Sequence, residues 1–115
     1  MASQLPIKDI LKLRYDPVNS LFTNNIDMFK RLTVCGFVVS CVEKRNHFIL
    51  ELEDGTGILN AILWFDKIDI AIKQFESYEF IGDLDYYSHL QFVIVFAKVI
   101  ATENVFNRTR DMILS

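Results

Sequence analysis

Cysteine and histidine are scarce in this sequence. It has two cysteines, Cys35 and Cys41, and two histidines, His47 and His89. On one extended strand the two cysteines would lie about 20 Å apart, well beyond the Cα separation that a disulfide spans. The spacing of the histidines fits no zinc-ligand pattern. We therefore predict two buried free thiols, no structural metal and no cofactor.

Long hydrophobic runs and an excess of positive charge are also lacking. No run reaches the roughly 20 apolar residues that span a bilayer, and residues 1–6 lack the basic start and apolar middle of a signal peptide. The 115 residues carry a formal net charge of −3, whereas proteins that bind nucleic acid by bulk charge are normally basic. We expect one soluble intracellular domain, in which any contact with nucleic acid depends on stacking or shape.

Catalytic signatures are missing as well. No Ser/His/Asp or Cys/His set has a pattern from which we would predict contact between its side chains. The Asp-Gly-Thr-Gly run at residues 54–57 is followed by neither the lysine nor the helix of a phosphate-binding loop. Glu51, Glu53 and Asp54 lie so close to this turn that we interpret them as solvated carboxylates. We predict that the protein is not an enzyme.

Residues 50–64 provide the clearest structural signal. Asp54-Gly55 favours a tight turn, because glycine tolerates positive φ and aspartate bonds its own backbone. Apolar and polar residues alternate on the first arm, as in a half-buried strand, whereas the second arm is apolar on both faces. We predict an antiparallel hairpin whose second strand is covered on both sides or presents a binding surface.

The remaining segments follow this hairpin in a simple order. We predict a short helix over residues 7–13, with Ser3 as a possible cap and Pro6 in its first turn. Residues 18–27 read as irregular, with a turn at Asn24-Asn25. A long strand over residues 28–42 places Leu32, Val34, Val38 and Val42 on one face and bends at Gly36.

The second half of the chain alternates helix and strand. Apolar spacing over residues 68–75 predicts an amphipathic helix capped by Asp66. Strands follow at residues 78–86, with a bend at Gly82, and at residues 90–100. Residues 102–115 predict a terminal helix with an apolar arc. The expected fold is all-β with flanking helices: an N-terminal arm (1–27), a five-stranded OB-fold barrel (28–101) and a C-terminal helix (102–115).

At this level of detail the sequence resembles a known family. The runs at residues 34–39, 43–44 and 52–64, in which Asp-Gly-Thr-Gly is followed at fixed spacing by Trp64, are similar to the OB fold of the middle subunit of replication protein A. They are closer to its telomeric relative, the Stn subunit of the CST complex, and residues 5–11 resemble the lead-in of the Stn group. Within that group, the compact loops and acidic balance look most like the Stn-like subunit of flies.

The resemblance implies a nuclear, non-enzymatic role at telomeres. It implies a subunit of a heteromeric complex that protects single-stranded DNA at chromosome ends. Trp64 and an aromatic near the last hairpin, Tyr86 or Tyr87, would stack on bases, since an aromatic face stacks any base for about 1–3 kcal/mol. Lys44 and Arg45, together with Lys30 and Arg31, would contact phosphates; the alternative is a solvated edge.

The resemblance also implies a partner. A second OB-fold protein of the Ten type would form a heterodimer through the terminal helix, whose apolar arc consists of Val105, Phe106, Thr109, Met112 and Ile113. The last strand is apolar on both faces, which a single small barrel does not require. The plainer alternative is that this helix closes the open end of the barrel.

The chain departs from the family in the last hairpin. Related subunits carry basic residues there, whereas this sequence has Asp83 and Asp85 and no lysine or arginine in residues 82–91. For Trp64 itself, the alternative to stacking on bases is that it caps the barrel core. Two other functions of the whole chain stay open. One is an architectural OB domain without direct DNA contact, which Asp83, Asp85 and the negative net charge favour. The other is the anticodon-binding domain of a class II tRNA synthetase.

Overall fold

The computed structural model describes residues 3–67, 70–87 and 89–100, with Tyr87 described only as backbone. Its strands are β1 (Ser3–Gln4), β2 (Arg14–Asp16), β3 (Leu21–Thr23), β4 (Met28–Phe29), β5 (Arg31–Glu43), β6 (His47–Glu53), β7 (Ile58–Trp64), β8 (Ser77–Tyr87) and β9 (His89–Val99). One helix, α1, spans Ile7–Ile10, and a 3₁₀ helix spans Phe65–Lys67.

Five long strands close into a barrel. β6 pairs with β5 and β7, β7 pairs with β9, β9 pairs with β8, and β8 returns to β5. All of these pairings are antiparallel except β7–β9. This is the strand order of an OB fold, so the predicted barrel and its central hairpin are confirmed. The flanking helices are reduced to α1 among the described residues.

Inward-facing side chains of the five strands fill the barrel. They alternate along each strand and are almost fully buried: Leu32, Val34, Val38, Leu50, Leu52, Leu59, Ala61, Leu63, Tyr78, Phe80, Leu84, Phe92 and Ile94. Each buried Val, Leu, Ile or Phe side chain contributes about 1.5–3 kcal/mol when it is taken out of water. The described strands therefore share one continuous apolar core.

The bend in β5 lies later than predicted. The register of β5 with β6 shifts between Val38 and Ser40. A bulge adds one residue, which reverses the inward and outward positions beyond it. As a result Cys41 packs against the core while Val42 is 47% exposed. The prediction that Val42 shares the inner face with Val38 is wrong for this reason.

The turn between β6 and β7 holds the N-terminal arm. Asp54 Oδ2 accepts the Ile7 N–H at 2.9 Å, and Thr56 Oγ1 accepts the Lys8 N–H at 3.1 Å. These are first-turn N–H groups of α1, which have no partner within the helix. Asp54 Oδ1 also accepts the Thr56 N–H at 2.9 Å and hydroxyl at 2.6 Å. Asp54 therefore caps α1 from a distant turn, and the interpretation of it as a solvated carboxylate is wrong.

The N-terminal arm differs from prediction in two further ways. Ser3 does not cap the helix but lies in β1, which pairs in parallel with β5, and Pro6 takes the N-cap position. Residues 14–29 form a three-stranded antiparallel sheet, β2-β3-β4, instead of an irregular segment. Asp16 and Asn24 nucleate its turns by accepting the N–H groups of Val18 (3.0 Å) and Ile26 (2.9 Å).

The predicted helix over residues 68–75 is not formed by its described part. Residues 70–75 are irregular, because their backbone groups bond elsewhere. The Phe75 N–H donates to Val38 O at 2.7 Å, and the Lys73 N–H donates to the Tyr78 hydroxyl at 2.9 Å. Phe75 has a φ of 68° and is 65% exposed. Tertiary hydrogen bonds thus outweigh the helical spacing of apolar residues here.

Three other predictions concern the cysteines, the C-terminal segment and membrane-spanning helices. Cys35 and Cys41 are free, as predicted, but each is only partly buried, so the prediction of buried thiols is wrong in that respect. The predicted helix over residues 102–115 lies outside the described residues. No helix in the described part of the chain is long and apolar enough to cross a membrane.

Removing the Asp54 carboxylate should destabilise the fold. Asp54→Ala leaves the first N–H of α1 without its acceptor and removes the bonds that fix the turn, so the free energy of unfolding should fall by about 1–2 kcal/mol. Urea denaturation followed by circular dichroism measures this. Glu53→Ala is the matched control, because Glu53 is an exposed neighbouring carboxylate, and it should change stability by less than about 0.5 kcal/mol.

The pH dependence provides a second check on the same contact. Burial raises the pKa of Asp54, but hydrogen bonds from Thr56 and the Ile7 N–H together lower it below its ordinary value of 3.8. A lowered folded-state pKa gives stability that is present above 3.8 and is lost as the pH falls through the folded value. The wild type should therefore lose stability more steeply than Asp54→Ala in this acid range. Parallel curves would contradict the proposed cap.

Gly82 should not tolerate a side chain. A Cβ at this position would lie 2.5 Å from Val93 O and 2.8 Å from Phe92 Cζ, at the site where the β8–β9 register shifts. Gly82→Ala should cost about 2 kcal/mol or more through overpacking. In Gly36→Ala the nearest atom would be Leu52 Cβ at 3.4 Å, so that variant is the control. Equal unfolding midpoints for the two variants would disprove the close-approach argument.

Candidate nucleic-acid interface

The outer face of β6, β7 and β9 carries an apolar row. Ile49 is opposite Ile62 in the β6–β7 register, and Ile62 is opposite Val93 in the β7–β9 register. Ile49 is 38% exposed, while Ile62 and Val93 are partly exposed. This face is the one that OB folds use for oligonucleotides and oligosaccharides.

Trp64 stands at the end of this row. It closes β7 opposite His47, is 39% exposed, and its ring centroid lies 4.8 Å from that of His47. The Asn46 carboxamide oxygen lies 2.8 Å from His47 Nδ1 and orients the imidazole. The indole is thus held in place on one side while a large part of it stays open to solvent.

Two concave surfaces meet at Trp64. A groove of about 650 Å³ is lined by Ile62, Trp64, Asp85, His89, Gln91 and Val93. A second one of about 430 Å³ is lined by Asn46, Trp64, Phe65, Asp66 and Lys67. The predicted stacking residue therefore lines both concave surfaces, which contain apolar and polar side chains.

The turn that carries Lys44 and Arg45 lies beside Trp64. The Lys44 N–H donates to His47 O at 2.8 Å, and the Phe65 N–H donates to Asn46 O at 3.1 Å. Phe65 is itself held edge-on against Phe48, with centroids 5.0 Å apart. These contacts fix the turn beside Asn46, which lines the second concave surface. Lys44 and Arg45 are exposed, and their contact with phosphates stays a prediction.

Arg31 and Lys30 are engaged elsewhere. Arg31 Nε and Nη2 donate to the two carboxylate oxygens of Asp83 at 2.8 and 3.1 Å. Arg31 holds the pKa of Asp83 below its usual value, and Asp83 raises the pKa of Arg31. Lys30 Nζ donates to Leu84 O at 3.0 Å. Both cations lie by β8, where one is neutralised and the other is bonded to the backbone.

Tyr86 does not line the groove with Trp64. Its ring stacks on that of Tyr15 from the small sheet, with centroids 5.3 Å apart and planes at 11°, and it is 49% exposed. The backbone of Tyr87 ends β8 opposite His89. A role in stacking on bases stays a prediction for both tyrosines.

Sequence reasoning missed several residues of the groove. Asp85 and Gln91 line the larger groove, and Asn46 and Lys67 line the second concave surface. From the sequence alone, Asp85 is interpreted only as a charge that opposes DNA binding. Asp85 and Gln91 are directly opposite in the β8–β9 register. Alternation along the last hairpin could have placed both on the outer face once the pairing was known.

The cysteines and the acidic groups are the other candidates for reactive or metal-binding groups among the described residues. Burial raises the pKa of the Cys35 and Cys41 thiols, and nearby Glu79 and Glu43 raise it further. Raised values disfavour the nucleophilic thiolate. Among residues 3–67, 70–87 and 89–100, no group of three or more His, Cys, Asp or Glu side chains could hold a metal ion.

Solved structures with the same fold show how this barrel compares. The chain is similar to a chain of a replication protein A heterotrimer bound to single-stranded DNA, with a TM-score of 0.77, 18% identity and coverage of 95% of this chain and 90% of that one. It is also similar to a chain of the S. pombe Stn1-Ten1 complex, with a TM-score of 0.79, 11% identity and coverage of 97% and 88%. At these identities the likeness shows the OB fold.

A third similarity bears on the synthetase alternative. Asparaginyl-tRNA synthetase from Pyrococcus horikoshii matches with a TM-score of 0.53 and 15% identity, over 61% of this chain and 19% of the synthetase. The match therefore covers less than two thirds of this chain and about a fifth of the synthetase. No protein-family model matches the sequence, and no curated protein matches it either.

Proposed function

We propose that this protein is an OB-fold subunit of a heteromeric complex that binds single-stranded DNA and protects telomeres in the nucleus. The half-exposed Trp64, held at the centre of the groove on the β6–β7–β9 face, carries this proposal. The near full-length likeness to chains of replication protein A and Stn1-Ten1 supports it. Within that group, the compact loops and acidic balance resemble Verrocchio, the Stn-like telomere-capping protein of flies.

Stacking, more than charge, would supply the affinity. An exposed indole stacks on any base without reading its identity, and the apolar row of Ile49, Ile62 and Val93 extends the surface beside it. Lys44, Arg45 and Lys67 lie near this surface and can meet phosphates. Tyr86, Tyr87 and Arg31 remain proposed contacts, the last once it leaves Asp83.

The proposed role also includes a partner protein of the same fold class. We propose a heterodimer with a second, Ten-like OB subunit through Val105, Phe106, Thr109, Met112 and Ile113. Phe96 and Val99, near the end of β9, are 46% and 45% exposed, so apolar side chains are open to solvent at this end of the last strand. The similar chains of known structure come from a heterotrimer and from a two-protein complex.

An architectural role without DNA contact is the second candidate. The bidentate Arg31–Asp83 pair favours it, because it removes one of the few cations near the last hairpin. For this role, the intact complex would not bind DNA, and introducing lysine at positions 83 and 85 would create binding that the native complex lacks.

Loss of the indole should weaken DNA binding. Trp64→Ala should lower the affinity of the complex for a single strand about 5- to 150-fold, because one stacking platform is worth about 1–3 kcal/mol. Fluorescence anisotropy with labelled oligonucleotides measures this. Phe75→Ala is the control, since Phe75 is an exposed aromatic outside the groove. Unchanged affinity in Trp64→Ala would remove Trp64 from the site.

A charge in the terminal segment should break the heterodimer. Phe106→Glu places a carboxylate on the apolar arc, where burial against a partner would leave it unpaired. The native mass of the complex, measured by light scattering with its subunits identified, should fall to that of the single chain. Asn107→Glu, on the opposite side of the predicted arc, should leave the mass unchanged. A persistent heterodimer in Phe106→Glu would exclude this interface.

A further inference from the structure

The groove beside Trp64 contains a polar pair that the stacking role does not use. Asp85 and Gln91 are direct partners in the β8–β9 register, and both line the groove together with Trp64. The other lining residues include the apolar Ile62 and Val93. A base that stacks on the indole would therefore have polar groups within the same groove, on the side formed by β8 and β9.

Both polar side chains are oriented by local hydrogen bonds. Asp85 Oδ1 accepts the N–H of Tyr86 at 2.8 Å. Among the residues that the structure describes, Asp85 Oδ2 has no hydrogen-bond partner. Gln91 Nε2 lies 3.3 Å from His89 Nε2. One carboxylate oxygen is thus anchored to the backbone, which fixes the group while the other oxygen stays open to a ligand.

Asp83 lies on the same face of β8 but differs in its environment. Both of its oxygens accept hydrogen bonds from Arg31, and it does not line the groove with Trp64. Its charge is compensated within the protein. Among the described residues no cation pairs with Asp85, so a ligand in the groove would meet a carboxylate acceptor.

A carboxylate in this position selects for hydrogen-bond donors. It repels phosphate oxygens, so the DNA backbone would lie toward Lys44, Arg45 and Lys67, and the base edge would face Asp85. Exposed bases in single strands are read on their Watson–Crick edges. Guanine has two adjacent donors on that edge, N1–H and the 2-amino group. Adenine, cytosine and thymine each have one donor next to acceptors, which the carboxylate repels.

We propose that Asp85, supported by Gln91, reads the Watson–Crick edge of a guanine stacked on Trp64. Guanine N1–H and the 2-amino group would donate to this carboxylate, one to the open Oδ2 and the other to Oδ1, which has a second lone pair besides the one that accepts the Tyr86 N–H. Such charge-assisted hydrogen bonds are stronger than neutral ones. The proposal rests on the proposed function, because it requires that single-stranded DNA enters this groove. It adds a base preference to a site that stacking alone would leave unselective.

The test compares bases at one position in an otherwise uniform strand. The full chain, together with its partner subunit, is titrated with labelled oligothymidylates of about 12 nucleotides that carry one central guanine, inosine, cytosine or thymine. The guanine strand should bind about 5- to 100-fold more tightly than the thymine strand, as for a good bidentate base contact. Inosine, which lacks the 2-amino group, should lose most of this preference.

Two matched variants assign the preference to Asp85. Asp85→Asn keeps an oxygen for the Tyr86 N–H but loses the charged acceptor, so guanine and thymine strands should bind with similar affinity. Asp83→Asn removes a carboxylate two residues away on the same strand. It should keep the full guanine-to-thymine ratio, even if release of Arg31 raises both affinities.

The outcomes separate the two proposals. Equal affinity of the wild type for all four strands, or a preference that persists in Asp85→Asn, would overturn the base-reading role and leave the stacking function intact. Failure of the wild-type complex to bind any of the strands would overturn both. Guanine preference that is lost in Asp85→Asn and kept in Asp83→Asn supports the proposal.

Discussion

The double pairing of β5 is the constraint on which the rest of this structure depends. Its first half pairs with β8 and its second half with β6, so one strand of 13 residues joins both ends of the sheet. The bulge between Val38 and Ser40 lets the strand turn between these partners. Closure fixes β7 against β9, and that pairing places Trp64 in the same groove as Asp85 and Gln91.

The sequence predicts the barrel well because local patterns specify it. Alternation over residues 50–64 and the Asp54-Gly55 turn identify the hairpin, and Gly82 marks the register shift in β8. The errors come from long-range contacts. The partner of Asp54 is 47 residues away in the chain, so no local pattern reveals that this turn caps a helix. The apolar spacing of residues 68–75 suggests a helix, but hydrogen bonds to Val38 and Tyr78 hold the described part of it in another conformation.

In the candidate site too, the sequence predicts the neighbours that a local register sets and misses those that long-range contacts set. Trp64 and the turn with Lys44 and Arg45 are adjacent in the fold because the β6–β7 hairpin has a simple register, which the sequence reveals. Arg31 and Asp83 are separated by 52 residues, so their ion pair could not be read from composition. Tyr86 likewise stacks on Tyr15 through a small sheet that the turn residues Asp16 and Asn24 create. A sequence shows which charged and aromatic residues are present. Which residue each of them pairs with or stacks on depends on how the barrel closes.

The negative net charge of the chain bears on how such a barrel could bind nucleic acid. A negative net charge weakens nonspecific attraction to a phosphate backbone at all distances within the Debye length. Stacking and hydrogen bonding act only on contact, so they contribute a larger share of the binding energy when bulk attraction is small. Asp83 pairs with Arg31 outside the groove, whereas Asp85 lines the groove and has no ion-pair partner among the described residues. If single-stranded DNA enters this groove, as proposed, the Asp85 carboxylate would repel a phosphate and attract a base edge that offers donors. The net charge of −3 leaves little nonspecific attraction that could mask this difference.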